Sequence, residues 1–397
     1  MKRICILILS VLLAVQFLSG CDDETEKIVE SERPSEELEI SGDAEKAAAK
    51  LGLEFLKNDG ENTNPTVSPF SLYTSLSLVA SGANGKTKSD IEKLLLTDTE
   101  NAEKNVASYT NKMIDAKMVT FTEANGIFVK SKTKLEKSFT DNLKKYFAAD
   151  VFTTPFDEST VKQMNAYFKN KSGKRIKEAC ESTPENAEMF VLGTLTFDAK
   201  WDKQVLASEI SPGIFKCKDG NDEKVDYLSM DGVDYIKLGD TIGIRKDYEG
   251  CEYSFIAFLP SDGMSAEDFV NSLSPEDFIT AVKGRKILST TAKIPRFTAS
   301  ASYNLENALP KLGVSELFGE NADFSKMSKD DLKLSGFIHK AYIMTSEKGT
   351  EDGASTTTDL SESEDLIELV FDSPFFYAVV DKTTGMPFYM GIVNKVE

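Results

Sequence analysis

Residues 189–201 read MFVLGTLTFDAKW, and this stretch decides the fold. Its first nine residues are mostly apolar and rich in β-formers, which predicts a strand that is buried on both faces. Residues 254–259, which read SFIAFL, have the same character. Two such strands indicate large sheets inside the core.

Helix and hairpin signals lie on either side of these strands. Ser68 and Pro69 supply a capping side chain and a proline at the first helical position, which predicts a helix from there to about residue 80. The serines that alternate along this helix indicate close approach of another backbone. Residues 375–380 and 387–393, joined by the turn DKTTG, predict a C-terminal hairpin. The predicted fold class is α+β.

Composition and charge exclude several functions. The chain has 397 residues, 41% of them hydrophobic, and a formal net charge of -19 from 65 acidic and 46 basic side chains. This acidity excludes nucleic acid as the main partner, because phosphate binding needs clustered Lys and Arg. The single histidine, His339, excludes a metal site of several imidazoles. Because no P-loop, nucleophile elbow or paired-carboxylate signature occurs, we predict neither an enzyme nor a cofactor.

The N-terminus predicts export and lipid anchoring. Lys2 and Arg3 precede an apolar stretch over residues 4–18, and Cys21 follows directly on Leu-Ser-Gly. The stretch is short for a membrane span and has the layout of a signal peptide, which we place at residues 1–20. The run up to Cys21 resembles the lipobox of bacterial lipoproteins, whose new first cysteine is acylated and holds the protein on a membrane. The alternative is a plain signal peptide with a chance cysteine.

An acidic segment follows Cys21. Residues 22–45 carry eleven Asp or Glu against Lys27 and Arg33. Such a segment cannot fold alone, so we predict a solvated tether over 21–43 and one folded domain over 44–397. The acidic residues next to Cys21 resemble the signal that sends lipoproteins to the cell surface in some Gram-negative bacteria. An outer-membrane location is favoured, and the cell surface stays open.

The remaining cysteines predict free thiols. Cys180, Cys217 and Cys251 are an odd number without C-x-x-C spacing, so they cannot form a complete disulfide framework. A nucleophilic cysteine with His339 as its base is an alternative without local support.

Blocks of sequence between residues 64 and 391 resemble the serpins in one order. They are NPTVSPFSL (64–72), GANGKT (82–87), FVLGTLTFDAKW (190–201), IPRF (294–297), LPKLGV (309–314), HKA (339–341), EKGTE (347–351), SPFF (373–376) and YMG (389–391). The chain is therefore identified as a member of the serpin family. The resemblance implies a large central β-sheet A, two further sheets, surrounding helices and an exposed reactive loop.

The resemblance also implies a suicide inhibitor of serine or cysteine proteases. In that family the protease cleaves the loop and forms an acyl-enzyme, and the loop then inserts into sheet A and drags the protease to the opposite pole. The implied partner is a target protease in a covalent complex, beside the membrane that holds the lipid anchor, and we expect a monomer. The alternative is a non-inhibitory serpin-fold lipoprotein that acts as a binding or structural module.

The reactive loop lies between Glu347 and Pro374. The resemblance implies a hinge made of Glu347, Lys348, Gly349, Thr350, Glu351, Asp352, Gly353, Ala354 and Ser355. Counting from Glu347 places the reactive bond between Ser363 and Glu364, with Leu360, Glu362 and Leu366 as alternatives. Because residues 359–366 contain no Arg or Lys, a trypsin-like target is disfavoured, whereas elastase-, chymotrypsin-, subtilisin-like and glutamate-specific proteases remain.

Strand periodicity identifies one unfavourable hinge residue. If Thr350 faces the core after insertion, a period of two also turns Asp352 inward, where inhibitory serpins usually carry alanine. Burial of an unpaired carboxylate is costly. We therefore predict slow insertion and a larger share of molecules cleaved as ordinary substrate.

Two further groups match positions that control sheet A in the family. Ser68, Ser71, Gly193 and His339 match the shutter. Gly193 stands where relatives usually have an asparagine that bonds the histidine, so His339 needs another partner, such as Ser68, Ser71 or a water. We interpret His339 as structural rather than catalytic. Trp201, Arg296 and Glu347 match the breach, where an Arg296–Glu347 ion pair would hold the proximal hinge.

Overall fold

The computed structural model describes residues 25–35, 43–261, 263–284, 289–350 and 368–396. Its helices are α1 (Ala44–Asn58), α2 (Pro69–Gly82), α3 (Gly85–Leu95), α4 (Thr99–Asp115), α5 (Lys137–Tyr146), α6 (Glu158–Lys171), α7 (Ala266–Ser272), α8 (Pro275–Lys283) and α9 (Leu305–Ala308). Its strands are β1 (Glu26–Val29), β2 (Thr66–Val67), β3 (Val119–Lys130), β4 (Ala149–Thr154), β5 (Met189–Lys200), β6 (Ile210–Lys216), β7 (Asp222–Leu238), β8 (Thr241–Asp247), β9 (Tyr253–Leu259), β10 (Ser289–Pro295), β11 (Phe297–Asn304), β12 (Leu334–Thr345), β13 (Gly349–Thr350), β14 (Glu368–Val370), β15 (Phe375–Asp381) and β16 (Pro387–Val393).

These strands form two sheets. Sheet A has the order β1-β4-β3-β5-β12-β11, and β13 pairs with β5. Sheet B has the order β14-β10-β7-β8-β9-β15-β16-β2, and β6 pairs with β7. The α+β class and the large sheet A are confirmed. Where two further sheets were expected, the described strands form one continuous network, because the 17-residue β7 pairs with β6, β8 and β10.

The local predictions from the sequence are confirmed at three places. Helix α2 begins at Pro69, and the Ser68 side chain accepts a hydrogen bond from the Ser71 amide. Strand β5 is buried over nearly its whole length, and β15 with β16 forms the C-terminal hairpin. The serine-rich helix α2 packs directly against β5.

Sheet A is covered on both faces. One face joins the main core, which also contains the apolar side of α1 and α2. The other face holds a second cluster beneath α6, formed by Phe128, Met164, Phe168, Phe190 and Leu192 among others. We call the end of sheet A at Lys200 and Thr350 the upper end, and the end at Met189 and Leu334 the lower end.

The predicted tether is wrong for residues 25–35, which fold onto the edge of sheet A. We call these residues the arm. Strand β1 pairs antiparallel with β4, and Val29 is 5% exposed. The Lys27 ammonium lies 2.9 Å from a carboxylate oxygen of the buried Asp150, which also accepts a hydrogen bond from the Ser31 amide at 3.0 Å. A backbone ladder and a buried charge partner thus replace the apolar area that the segment lacks.

We expect Lys27→Met to lower the free energy of unfolding by about 1–3 kcal/mol, because it removes one of the two ammonium groups at a buried carboxylate. Lys171, 3.1 Å from Asp150, remains. Burial alone raises the pKa of Asp150, but Lys27, the Ser31 amide and Lys171 together lower it to about 2. The stabilisation is therefore present above pH 4 and lost as the pH falls towards 2. Urea unfolding measures the effect.

Lys117→Met is the matched control for this measurement. Lys117 is exposed and forms no ion pair with the described residues. Equal unfolding energies for both variants at pH 7 would contradict a docked arm.

Candidate functional site: the slot in sheet A

The two central strands of sheet A are joined at the lower end and parted at the upper end. Residues 334–340 of β12 pair in parallel with residues 189–194 of β5. Further up, a space of about 230 Å³ separates residues 196–198 from residues 342–344. Thr350 closes this space at the top. We call it the slot, and it runs along β5 in the direction in which an added strand would lie.

The first part of the hinge is already a strand at the top of the slot. Strand β13 pairs antiparallel with β5, Gly349 opposite Lys200 and Thr350 opposite Ala199. Gly349 has φ +144°, and an added Cβ would lie 2.0 Å from the Ala199 carbonyl oxygen, so only glycine fits without a shift of the backbone. The carbonyl of Lys348 accepts a hydrogen bond from the Trp201 amide at 2.6 Å.

Thr350 faces the core, as the periodicity argument requires. Its side chain is 3% exposed, and its hydroxyl lies 2.8 Å from the hydroxyl of the buried Tyr248. The other loop predictions lie outside the described residues, and so does the lipidation site. They are Cys21, Glu351, Asp352, Gly353, Ala354, Ser355, Leu360, Glu362, Ser363, Glu364 and Leu366.

The structure brings the three breach residues together beside the hinge. A guanidinium nitrogen of Arg296 lies 2.9 Å from the Glu347 carboxylate, and another lies 3.2 Å from Asp226. The Trp201 indole donates a hydrogen bond to the Ser346 carbonyl at 2.9 Å. Because Arg296 and Glu347 are partly exposed, their ion pair orients the hinge more than it stabilises the fold.

The shutter residues also lie together, beneath the joined part of β5 and β12. His339 is 1% exposed and stands opposite Gly193 in the strand register. Its Nε2 accepts a hydrogen bond from the Ser68 amide at 3.1 Å, which leaves the hydrogen of the neutral ring on Nδ1. A Cβ at Gly193 would lie 2.2 Å from Ser75 Oγ, so that serine occupies the room of a larger residue.

Several polar atoms in the shutter lack partners. Ser71 Oγ, Ser75 Oγ and His339 Nδ1 are buried and form no hydrogen bond of normal geometry with the described residues. Burial lowers the pKa of His339 to about 3, and the adjacent Gly193 backbone opposes this shift only in part. The imidazole is therefore neutral at physiological pH, and its burial supports a structural role.

Sequence reasoning missed three residues around the slot. Tyr248 holds Thr350, and Ser75 meets Gly193. Arg175, in the segment after α6, binds Asp198 with two guanidinium nitrogens, one of them at 3.0 Å. The alternating serines of α2 pointed to Ser75. Tyr248 and Arg175 carry no local signal, because their partners are distant in sequence.

Other site types find no support in the part of the chain that the structure describes. It contains no group of three His, Cys, Asp or Glu side chains arranged to hold a metal ion. Within the same residues, none of the helices combines the length and apolar character that a bilayer crossing requires. Cys180, Cys217 and Cys251 are free thiols, as predicted.

The fold and the slot define a class of protein whose central sheet is parted where a hinge strand enters it. The comparisons agree. A family model described as "Serpin (serine protease inhibitor)" matches residues 44–396, and the chain belongs to this family. Its curated relatives are named as inhibitors, so the family is one of protease inhibitors and not of enzymes.

Individual relatives cover most of the chain. Human Serpin A9 is 30% identical over 351 residues, which are 83% of this chain and 82% of that protein. Alpha-1-antitrypsin 1-1 of Mus musculus is 25% identical over 394 residues, 96% of this chain and 94% of that one. The thermophilic serpin tengpin in its native state has a TM-score of 0.87 and 27% identity, over 94% of this chain and all of that one. Its latent state has a TM-score of 0.79 and 28% identity.

Proposed function

We propose that the chain inhibits proteases by inserting its cleaved reactive loop into the slot of sheet A. The observation that carries this proposal is the position of β13. Its two residues already pair with β5 directly above the parted strands. A strand that continues from Thr350 in this register meets residues 198, 197 and 196 in turn. The chain is therefore poised to extend an existing ladder rather than to nucleate a new one.

The proposed reaction follows from this geometry. A serine protease attacks the carbonyl of Ser363, with Leu360, Glu362 and Leu366 as alternative positions, and forms an acyl-enzyme while Glu364 leaves as a free amine. Once the loop is cut, residues 351 onward fill the slot and carry the protease towards the lower end. The absence of Arg and Lys from residues 359–366 favours elastase-, chymotrypsin-, subtilisin-like or glutamate-specific targets over trypsin-like ones.

The proposal includes the location of the chain. Cys21 would carry the lipid after removal of residues 1–20, which places the folded domain on a bacterial membrane. The outer membrane is favoured by the acidic residues that follow Cys21. The lipobox-like run Leu-Ser-Gly-Cys supports this anchoring. A monomer with one protease is the proposed functional unit.

A protease panel tests the inhibitory proposal. The mature chain is incubated with elastase-, chymotrypsin-, subtilisin-, glutamate-specific and trypsin-like enzymes, and the products are separated in SDS. We expect an SDS-resistant complex with at least one non-trypsin enzyme, and mass spectrometry then identifies the cleaved bond. Cleavage by every enzyme without any complex would leave the non-inhibitory binding or structural module as the function.

We expect Thr350→Arg to convert the chain from inhibitor to substrate. The guanidinium would need the buried site beside Tyr248, where an unpaired charge costs several kcal/mol, and each 1.4 kcal/mol slows insertion about tenfold. The number of inhibitor molecules consumed per protease should rise at least about tenfold.

Glu351→Arg is the control, because the period of two turns residue 351 to the opposite face. An equal loss of inhibition in both variants would show that charge, and not burial at Thr350, causes the effect.

A further inference from the structure

The arm enters the fold at the lower end of sheet A. The Thr25 hydroxyl lies 2.8 Å from that of Thr154, the last residue of β4. Thr154 in turn pairs with Lys130, the last residue of β3, and the Lys130 amide donates a hydrogen bond to the Glu188 carbonyl just before β5. The chain that precedes Thr25 therefore leaves the domain at the lower end, opposite to the hinge.

The arm is held there by contacts along its length. Besides the β1–β4 ladder and the Lys27–Asp150 pair, both guanidinium nitrogens of Arg33 bind Asp115 at 2.6 and 2.7 Å. The Lys171 ammonium donates a hydrogen bond to Ser31 Oγ at 2.9 Å. These contacts connect the arm to β4, to α6 and to the end of α4, so residues 25–35 act as part of the domain.

The docked arm shortens the connection between Cys21 and the domain. Four residues lie between the Cys21 and Thr25 α-carbons, and they reach at most about 14 Å when fully extended. A free tether from Cys21 to Ala44 would reach about 80 Å. A lipid on Cys21 therefore holds the lower end close to the bilayer surface instead of letting the domain swing.

Exposed lysines surround the same end. Lys130, Lys132 and Lys134 lie at and after the end of β3, and an antiparallel bridge between Leu135 and Ser328 brings the exposed segment before β12 beside them. That segment adds Lys326 and Lys329, and none of the five lysines forms an ion pair with the described residues. The acidic groups of this end are Asp157, Glu158, Glu185, Glu188, Glu320, Asp330 and Asp331. Glu320 is paired with Lys333 at 2.7 Å, and Asp330 accepts the Lys134 amide at 3.0 Å.

We propose that the lower end of sheet A faces a lipid bilayer that contains anionic lipids, while the reactive-loop end points away from it. Lysines near a bilayer surface interact favourably with anionic head groups, by about 1 kcal/mol each. The 12 residues of β5 separate the two ends by about 36 Å. The orientation rests on the proposed anchoring at Cys21. It presents the loop to proteases that approach from the solvent.

Fluorescence quenching tests the orientation. The mature chain with Cys180→Ser and Cys251→Ser is coupled through the Cys21 thiol to a maleimide phospholipid, in vesicles of phosphatidylcholine and phosphatidylglycerol with a nitroxide on the lipid head group. Lys130→Trp adds a reporter at the lower end, and Lys203→Trp adds the matched reporter beyond the upper end of β5. The native Trp201, also at the upper end, is common to both.

We expect the nitroxide to quench the tryptophan added at position 130 at least several-fold more than the one added at position 203. Equal quenching at both positions, or stronger quenching at position 203, would overturn the orientation. Thermal unfolding of both variants in solution checks that they are folded. The coupling is chemical, so the result does not depend on natural acylation. Mass spectrometry of Cys21 from membranes of a bacterial host tests the anchoring separately.

Discussion

Asp352→Ala is expected to increase the share of protease encounters that end in a covalent complex. After cleavage the loop either inserts before the acyl bond is hydrolysed or is released as product. If burial of the carboxylate raises the insertion barrier by about 1.4–3 kcal/mol, removing it speeds insertion about 10- to 150-fold. The number of inhibitor molecules consumed per trapped protease should then fall towards one.

The structure gives the physical reason for this expectation. Thr350 faces the core opposite Ala199, so two further residues place Asp352 on the same face, opposite Phe197. The Phe197 ring lies against Phe121 and Tyr248, at centroid distances of 4.9 and 5.0 Å. An ionised carboxylate in this aromatic surrounding loses its hydration without gaining a cation.

Glu351→Ala is the control for this prediction, since the same register turns residue 351 to the outer face opposite Asp198. Stoichiometry is measured by titrating each variant against a fixed amount of active protease. An unchanged value for Asp352→Ala with several proteases would contradict the inward position of Asp352.

His339→Gln is expected to remove an acid sensitivity from the fold. The pKa of His339 is about 3 in the folded chain because the ring is buried, against 6.5 in the unfolded chain. Between these values the unfolded chain binds the extra proton. The histidine therefore lowers the free energy of unfolding as the pH falls from 6.5, by about 1.4 kcal/mol per pH unit. A glutamine oxygen can accept the Ser68 amide without this dependence.

The difference between the parent chain and His339→Gln is the quantity to measure, because Glu123 acts in the opposite direction. Burial raises the pKa of Glu123 from 4.5 to about 7, so this group stabilises the fold as the pH falls through that range. Its contribution cancels in the difference. We expect the urea unfolding energies of the two proteins to diverge by about 1 kcal/mol between pH 6.5 and 5.5. A constant difference over this range would contradict a buried, neutral His339.

The sequence predicted those parts of the fold that depend on local signals. The Ser68–Pro69 cap, the buried strand after Glu188 and the C-terminal hairpin depend on neighbouring residues, and all three are confirmed. The resemblance to serpins supplied the fold and placed the breach and shutter residues, which the structure brings together.

The remaining features depend on contacts between distant segments. The arm has the composition of a solvated tether, and only the presence of Asp150 on the edge of sheet A makes Lys27 and Ser31 part of the fold. The long β7 joins two sheets because of its pairing partners, not its own sequence. The contact of Ser75 with Gly193 likewise depends on how closely α2 approaches β5.

Thermal unfolding before and after loop cleavage tests the central claim most directly, because only insertion into the slot adds structure when a peptide bond is cut. About ten new residues in the sheet A ladder, at roughly 1 kcal/mol of net stabilisation each, raise the melting temperature by on the order of 15–20 °C. The mature chain is cleaved by a non-trypsin protease, and the two forms are compared in one buffer. A melting temperature that is unchanged or lower after cleavage, with the cut mapped between residues 351 and 367, would contradict insertion.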